Sequence, residues 1–244
     1  MQLIRKWERV MAIGCSHGKL ANPKAIAAVL KFAEQWKPKH RIHLGDAFDT
    51  TCFRSGAKGT SDESSKQDPD TKAGVKFLQQ FRPTVFCMGN HEQRLVNLCT
   101  HPSEVVSIAA NKVLAECLAP VKQLNAKLIP YTVLREGWHE LGGYRWGHGH
   151  LYGENYLRDS AEAFGNCVVA HAHRAGMQKG RRLDNATAYG VGTLADIPAM
   201  HYASGRRATL AWSSGMVFGE VCGDQAQLFL CEWPQGTTDW RLPI

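Results

Sequence analysis

No stretch of this 244-residue chain approaches the roughly 18 consecutive apolar residues that a membrane-spanning helix needs, so the sequence reads as that of a soluble protein. The first residues, Met1-Gln-Leu-Ile-Arg-Lys-Trp-Glu-Arg9, lack the unbroken apolar core and small-residue cleavage site of a secretory signal, which argues against export and for a cytoplasmic location. Cys-x-x-Cys pairs are missing as well. The eight cysteines are scattered, several inside apolar runs such as Val85-Phe86-Cys87-Met88 and Leu228-Phe229-Leu230-Cys231, and read as buried thiols in a reducing compartment. No internal repeat is visible, and the length suits one domain, 1–244, better than two. Acidic residues are the scarcer sign: 22 Asp and Glu against 29 Lys and Arg leave a formal charge of +7, which favours anionic partners. Two basic clusters, Lys37, Lys39, His40 and Arg41, and Arg174, Lys179, Arg181 and Arg182, read either as phosphate-backbone contacts or as solvated surface.

What is present is an alternation of strands and helices. Val10 to Gly14 reads as a buried strand, and Asn22-Pro23 supplies an N-cap and first-turn proline for a helix through about Trp36, stopped by Pro38. Arg41 to Leu44 and Thr84 to Met88 are further strands, with a helix over about Thr71 to Phe81 between them. The pattern predicts an α/β sheet of parallel character. A polar segment from Phe53 to Pro69, inside a loop of about residues 50–70, reads as mobile and lies next to the predicted site. After residue 120 the strands shorten: Leu128 to Leu134, Trp138 to Leu141, Tyr144 to Gly147 and Cys167 to Ala170, with a helix near Asn155 to Phe164 and a final hairpin over about residues 215–233 turning at Gly223-Asp224. Two sheets packed face to face, with helices outside, fit this pattern.

Five short patches at predicted strand ends carry metal and proton chemistry. In chain order they are Cys15-Ser16-His17-Gly18, Gly45-Asp46, Gly89-Asn90-His91-Glu92, Gly147-His148-Gly149-His150 and His171-Ala172-His173. Asn beside His offers a neutral oxygen ligand and an imidazole that can donate a proton. Residues i and i+2 of a strand point to one side, so extended geometry predicts that Cys15 with His17, and His171 with His173, each present two ligands to one place. The crevice beyond the carboxyl ends of the strands is where these groups can converge. His40, His43, His101, His139 and His201 stand outside the patches and read as structural. Together the five patches read as a two-metal phosphoesterase site.

In this order the motifs resemble the calcineurin-like metallophosphoesterases, whose pattern is Asp-x-His, Gly-Asp-x-x-Asp, Gly-Asn-His-Asp/Glu, a His often followed by Gly, and Gly-His-x-His. The resemblance spans roughly residues 10 to 175. It implies an α/β fold, a four-layer α/β/β/α sandwich of two mixed sheets flanked by helices, with a centre of two divalent metal ions. Carried over by position, one ion is held by Cys15, His17, Asp46 and His173 and the other by Asp46, Asn90, His148 and His171, with Asp46 bridging. His91 matches the residue that stabilises the phosphate or protonates the leaving group, and the metals activate water. Asp49 is assigned to orienting a histidine. Arg94 reads as a phosphate-oxygen contact or as an outward-facing salt bridge. His150 stands as an alternative to His148, which only the family pattern favours.

Two positions depart from that pattern. Ala170 replaces a usual glycine, and Cys15 replaces the usual aspartate, exchanging a hard oxygen for a soft sulfur; the expected ions are Mn, Zn or Fe, with the thiol leaning toward Zn or Fe. The other reading of Cys15 is a buried thiol that binds nothing. Gly14-Cys15-x-His17-Gly18 and Gly-Asn-His-Glu are similar to RNA lariat debranching enzymes, whereas the remainder is similar to compact bacterial and phage phosphoesterases. The expected activity is hydrolysis of phosphate esters, first as a phosphodiesterase on nucleic acid or nucleotides, alternatively as a phosphomonoesterase or protein phosphatase, or as an inactive scaffold for protein assembly.

Overall fold

The computed structural model describes residues 6–200 and 207–243; His201 lies outside them. One sheet is built from β1 (Glu8–Ile13), β2 (His40–His43), β3 (Val85–Cys87), β4 (Lys127–Ile129), β10 (Ser214–Cys222) and β11 (Gln225–Trp233) in the order β11-β10-β1-β2-β3-β4. The second runs β5-β6-β7-β9-β8, from β5 (His139–Leu141), β6 (Tyr144–Trp146), β7 (Cys167–Val169), β8 (Ala175–Lys179) and β9 (Thr187–Val191). Both are mixed: β1 to β4 are parallel with β10 antiparallel to β1, and β6, β7 and β9 are parallel with antiparallel edges. Among the described residues five α-helices flank them: α1 (Pro23–Trp36), α2 (Gln67–Phe81), α3 (Asn90–Leu98), α4 (Glu104–Gln123) and α5 (Tyr156–Phe164).

Burial of both faces explains the layering. Along β1, Val10 and Ala12 point into a core shared with Ile42, Leu44 and Val85 of the same sheet and Trp146, Val168 and Val191 of the other. The alternate residues Met11 and Ile13 pack against Ala25, Val29 and Phe32 of α1 and Phe77 and Phe81 of α2. On the far side, Cys167 and Val169 meet Tyr156, Leu157 and Ala161 of α5. A strand apolar on both faces is covered on both, and the result is the α/β/β/α sandwich that the motif resemblance implied. The Asn22 side chain accepts from Lys24 N–H and Ala25 N–H, the cap expected for α1.

Several expectations need correction. The helix α2 starts at Gln67, four residues before the expected Thr71, so Asp68, Pro69 and Asp70 belong to its first turn and not to the polar loop. That loop opens with a 3₁₀ turn at Thr51–Phe53 and is tied by an Arg54–Asp62 ion pair. The expected strand from Leu128 to Leu134 is only Lys127–Ile129. The long α4 and the strands β8 and β9 have no counterpart in the sequence reading. Among the described residues, no helix is long and apolar enough to cross a membrane.

The sheets approach each other closely where β1 and β7 end. A Cβ built on Gly14 would sit 2.7 Å from the Cβ of Ala170 and 3.3 Å from that of Leu44. Gly14 therefore has a steric reason, and the alanine at position 170 sharpens it. Gly14→Ala should cost about 1–3 kcal/mol of stability, roughly 2–12 °C in Tm, and adding Ala170→Gly should restore most of it. Calorimetry of the two variants checks this, and an unchanged Tm for the single variant contradicts it.

Candidate metal centre

All five patches lie at the same end of the sandwich, past the carboxyl ends of β1, β2, β3, β6 and β7. Extended geometry does not bring them together, contrary to the alternation argument: β1 stops at Ile13 and β7 at Val169, before either ligand pair. Instead Cys15, His17, Asp46, His171 and His173 all adopt left-handed backbone, with φ of 52, 53, 52, 61 and 57°. They make up half of the ten non-glycine residues with positive φ among the described residues. Such conformations persist only where their surroundings over-determine them. Here the loops zip together: Cys15 N–H donates to Gly45 O at 2.9 Å, His17 N–H to Asp46 O at 3.0 Å and Gly18 N–H to Ala47 O at 2.9 Å.

Two buried carboxylates hold those loops, and neither was assigned a role from sequence. Glu92, in the first turn of α3, accepts from Gly89 N–H (2.7 Å), Asp46 N–H (3.0 Å), Ala47 N–H (2.8 Å) and Phe48 N–H (3.3 Å). Burial and the Asp46 charge push its carboxyl up to about 7, against the pull of the N–H donors. Asp70 accepts from the N–H groups of Lys19, Asp49 and Thr50. A sequence signal existed only for Glu92, three residues past Gly89 as in a capping box. His43, read as structural, is buried between Phe86 and Ser16, its Nδ1 accepting from Gly45 N–H at 3.2 Å and its ring driven down to about 3 by burial.

The side chains converge as three groups, one of them His17, Asp49 and His91, and the other two share Asp46. Cys15, His17, Asp46 and His173 form one; Asp46, His148 and His171 form the other, with the donor atoms of each within 4.8 Å of one another. Asn90 Oδ1 joins the second, 3.0 Å from His148 Nε2 and 2.9 Å from His171 Nδ1. His148, not His150, stands in this cluster; the His150 ring lies 4.5 Å from that of Tyr131. Asp49 Oδ1 accepts from His17 Nδ1 at 3.1 Å. The Arg94 guanidinium donates to Asp49 O (3.1 Å), Thr50 O (3.0 Å) and the Thr50 hydroxyl (3.1 Å).

The hydrogen bonds at the rim decide what faces the centre. His148 Nδ1 donates to Leu44 O at 2.7 Å, so its Nε2 turns a lone pair toward Asp46 Oδ2 at 3.2 Å and Asn90 Oδ1. His17 Nδ1 is likewise committed to Asp49, and its Nε2 meets His173 Nε2 at 3.0 Å. Acceptors facing acceptors in a dry site repel unless a cation stands among them. Burial opposes charge on His17 and His148, yet Asp49 and Asp46 outweigh it and raise both, while burial drives His171 down to about 3 and His173 far below its ordinary value. Burial works to raise Asp46, but His148, His91 and His17 hold it well below the usual carboxylate range. Two donors about 2.1 Å from one ion lie about 3.0 Å apart at a right angle and about 3.4 Å apart at the tetrahedral angle, so the observed spacings fit metal binding. Cys15 is fully buried, which with Asp46 raises its thiol far up, against a hydrogen bond from His171 N–H.

His91 stands slightly apart. Its Nδ1 donates to Asp49 O at 2.6 Å, its N–H donates to Asp46 Oδ1 at 3.0 Å, and its Nε2 comes no nearer to Asp46 Oδ2 than 3.9 Å. Burial lowers its ring to about 4. The basic clusters are largely engaged within the chain: Lys39 and His40 with Glu8, Arg41 with Phe81 O, Arg174 with Tyr152 O, Arg181 with Glu162 and Arg182 with Asp184.

A profile of the calcineurin-like phosphoesterases matches residues 8–177. The Gene 54 proteins of Mycobacterium phages D29 and L5 are 25% identical over 240 residues and 23% identical over 246 residues, each alignment covering 90% of this chain and 91% of the relative. The crystal structure of a metallophosphoesterase from Sphaerobacter thermophilus superposes with a TM-score of 0.50 at 15% identity, over 92% of this chain and 88% of that one; likeness at that identity speaks to the fold alone.

Replacing Glu92 by Gln would set an amide NH₂ against N–H groups that now find a carboxylate oxygen. With two donors left unpaired at about 1–3 kcal/mol each, Glu92→Gln should destabilise the protein by about 2–6 kcal/mol and weaken metal retention together with folding. Urea unfolding followed by elemental analysis checks this; a variant of unchanged stability contradicts it.

Proposed function

Since the chain belongs to the calcineurin-like phosphoesterases, we propose that it is a hydrolase of phosphate esters working through two divalent ions, and in particular a phosphodiesterase. The observation that carries the reading is the double cluster of lone-pair donors around Asp46, in which His148 and His17 are each fixed in one tautomer by a bond at the opposite ring nitrogen. Cys15, His17, Asp46 and His173 would hold one ion; Asp46, Asn90, His148 and His171 the other. When bound, two such ions lower the pKa of water and neutralise charge on the phosphate oxygens.

The residues of the chain supply the remainder. His91 is anchored at Nδ1 by Asp49 O, which leaves Nε2 as the atom to meet the phosphate or to pass a proton to the leaving oxygen. Arg94 fixes the carbonyls of Asp49 and Thr50 and so holds that anchor in position. Asp49 orients His17. The thiol of Cys15 gives the first cluster a soft ligand, which favours Zn or Fe over Mg.

Two experiments test this. With Mn, Zn or Fe supplied, the protein should hydrolyse bis-p-nitrophenyl phosphate faster than p-nitrophenyl phosphate, and His91→Ala should lower kcat on the diester by roughly 10²–10⁴-fold with metal content unchanged; a wild type inactive with every metal contradicts the enzyme reading, and the reverse substrate preference contradicts the diesterase. Cys15→Asp should shift retained metal from Zn or Fe toward Mn, read by elemental analysis of protein purified without added metal. An unchanged metal profile would mean that the thiol binds nothing.

A further inference from the structure

Aromatic rings stand beside both halves of the cluster. Trp212 meets the His173 imidazole edge-on, with ring centroids 4.4 Å apart. Tyr152 approaches His171 at 6.0 Å while remaining 74% exposed. A tyrosine ring so open to water gains little from burial, yet its loop is held in place. The Arg174 guanidinium, 4.6 Å above the Tyr156 ring, donates to the carbonyls of Tyr152, Gly153 and Glu154. The half-buried Trp212 is also tied to the site: Ser213 N–H donates to His173 O at 3.0 Å. Arg174 and Trp212 thus flank His173, one fixing the loop of the exposed ring and the other supplying the second ring.

The chemistry of the ligand follows from the pair. A phosphate monoester carries one organic group and a diester two, so a ring beside each metal group suits a diester with a flat group on either side. Arg174, the cation nearest the exposed ring, is spent on chain carbonyls. We propose that Tyr152 and Trp212 are stacking platforms for the nucleobases on the two sides of the scissile phosphate in single-stranded nucleic acid. The inference rests on the phosphodiesterase reading and names its substrate class.

Fluorescence anisotropy tests it without turnover. Metal-loaded full-length protein is titrated into a labelled phosphorothioate hexadeoxynucleotide and into the same strand with abasic sites at the two central positions. The wild type should prefer the base-bearing strand. Tyr152→Ala and Trp212→Ala should each weaken its binding roughly 5- to 150-fold, leave abasic binding unchanged, and be rescued in large part by Tyr152→Phe and Trp212→Phe. Equal loss on both strands, no loss on either, or a wild type without preference overturns the platforms. Turnover of bis-p-nitrophenyl phosphate by the wild type separates the two claims: turnover without base preference removes the platforms alone, and base preference without turnover removes the hydrolase reading and leaves the platforms standing.

Discussion

Four backbone N–H groups converge on the carboxylate of Glu92, and the geometry of the centre follows from that convergence. They come from Gly89, at the end of β3, and from Asp46 to Phe48, beyond β2. One side chain therefore locks two adjacent strand ends to each other. With that lock in place Asp46 can keep a left-handed backbone and turn both carboxylate oxygens to the cleft side, one toward His91 N–H and the other toward His148. Asp70 does similar work for the Asp49 to Thr50 turn, from the opposite helix. Asp46 and Asp49, the acids of the candidate centre, are thus held in place by two further acids, Glu92 and Asp70.

Strain and close approach belong to the same design. Five candidate ligands in left-handed conformation represent a cost of about 1–3 kcal/mol each, and the chain meets it with loop-to-loop hydrogen bonds and buried carboxylates instead of with regular strand pairing. Small residues at Gly14 and Ala170 let the two sheets close at that end, so that groups from the loops after β1 and β7, 156 positions apart at His17 and His173, come within 3.0 Å.

Much of this was legible in the sequence. Apolar runs ending in small residues marked the strands that bear the site, Asn22-Pro23 marked the start of α1, and Gly223-Asp224 marked the terminal hairpin. The five patches named the residues that the fold brings together. What stayed hidden has physical reasons. The helix α4 leaves Val105 and Ile108 exposed and carries Pro120 inside it, which blurs any apolar stripe. The edge strand β8 is exposed over Met177 to Lys179 and lacks alternation. A carboxylate that caps backbone N–H groups leaves little pattern: Glu92 has only its capping-box spacing from Gly89, and Asp70 emerges from hydrogen bonds alone. Cys15 with His17, and His171 with His173, do converge, though not as strand neighbours, because left-handed loops can also direct alternate side chains to one point.

The proposed centre depends on Asp46 standing between two cations, with Cys15 beside one of them. Anomalous diffraction from crystals grown with Mn or Zn tests this most directly. Two peaks about 3.5–4 Å apart, with the Asp46 carboxylate between them and the Cys15 sulfur at bonding distance from one, are the predicted result. A single peak, or none near Asp46, would contradict it.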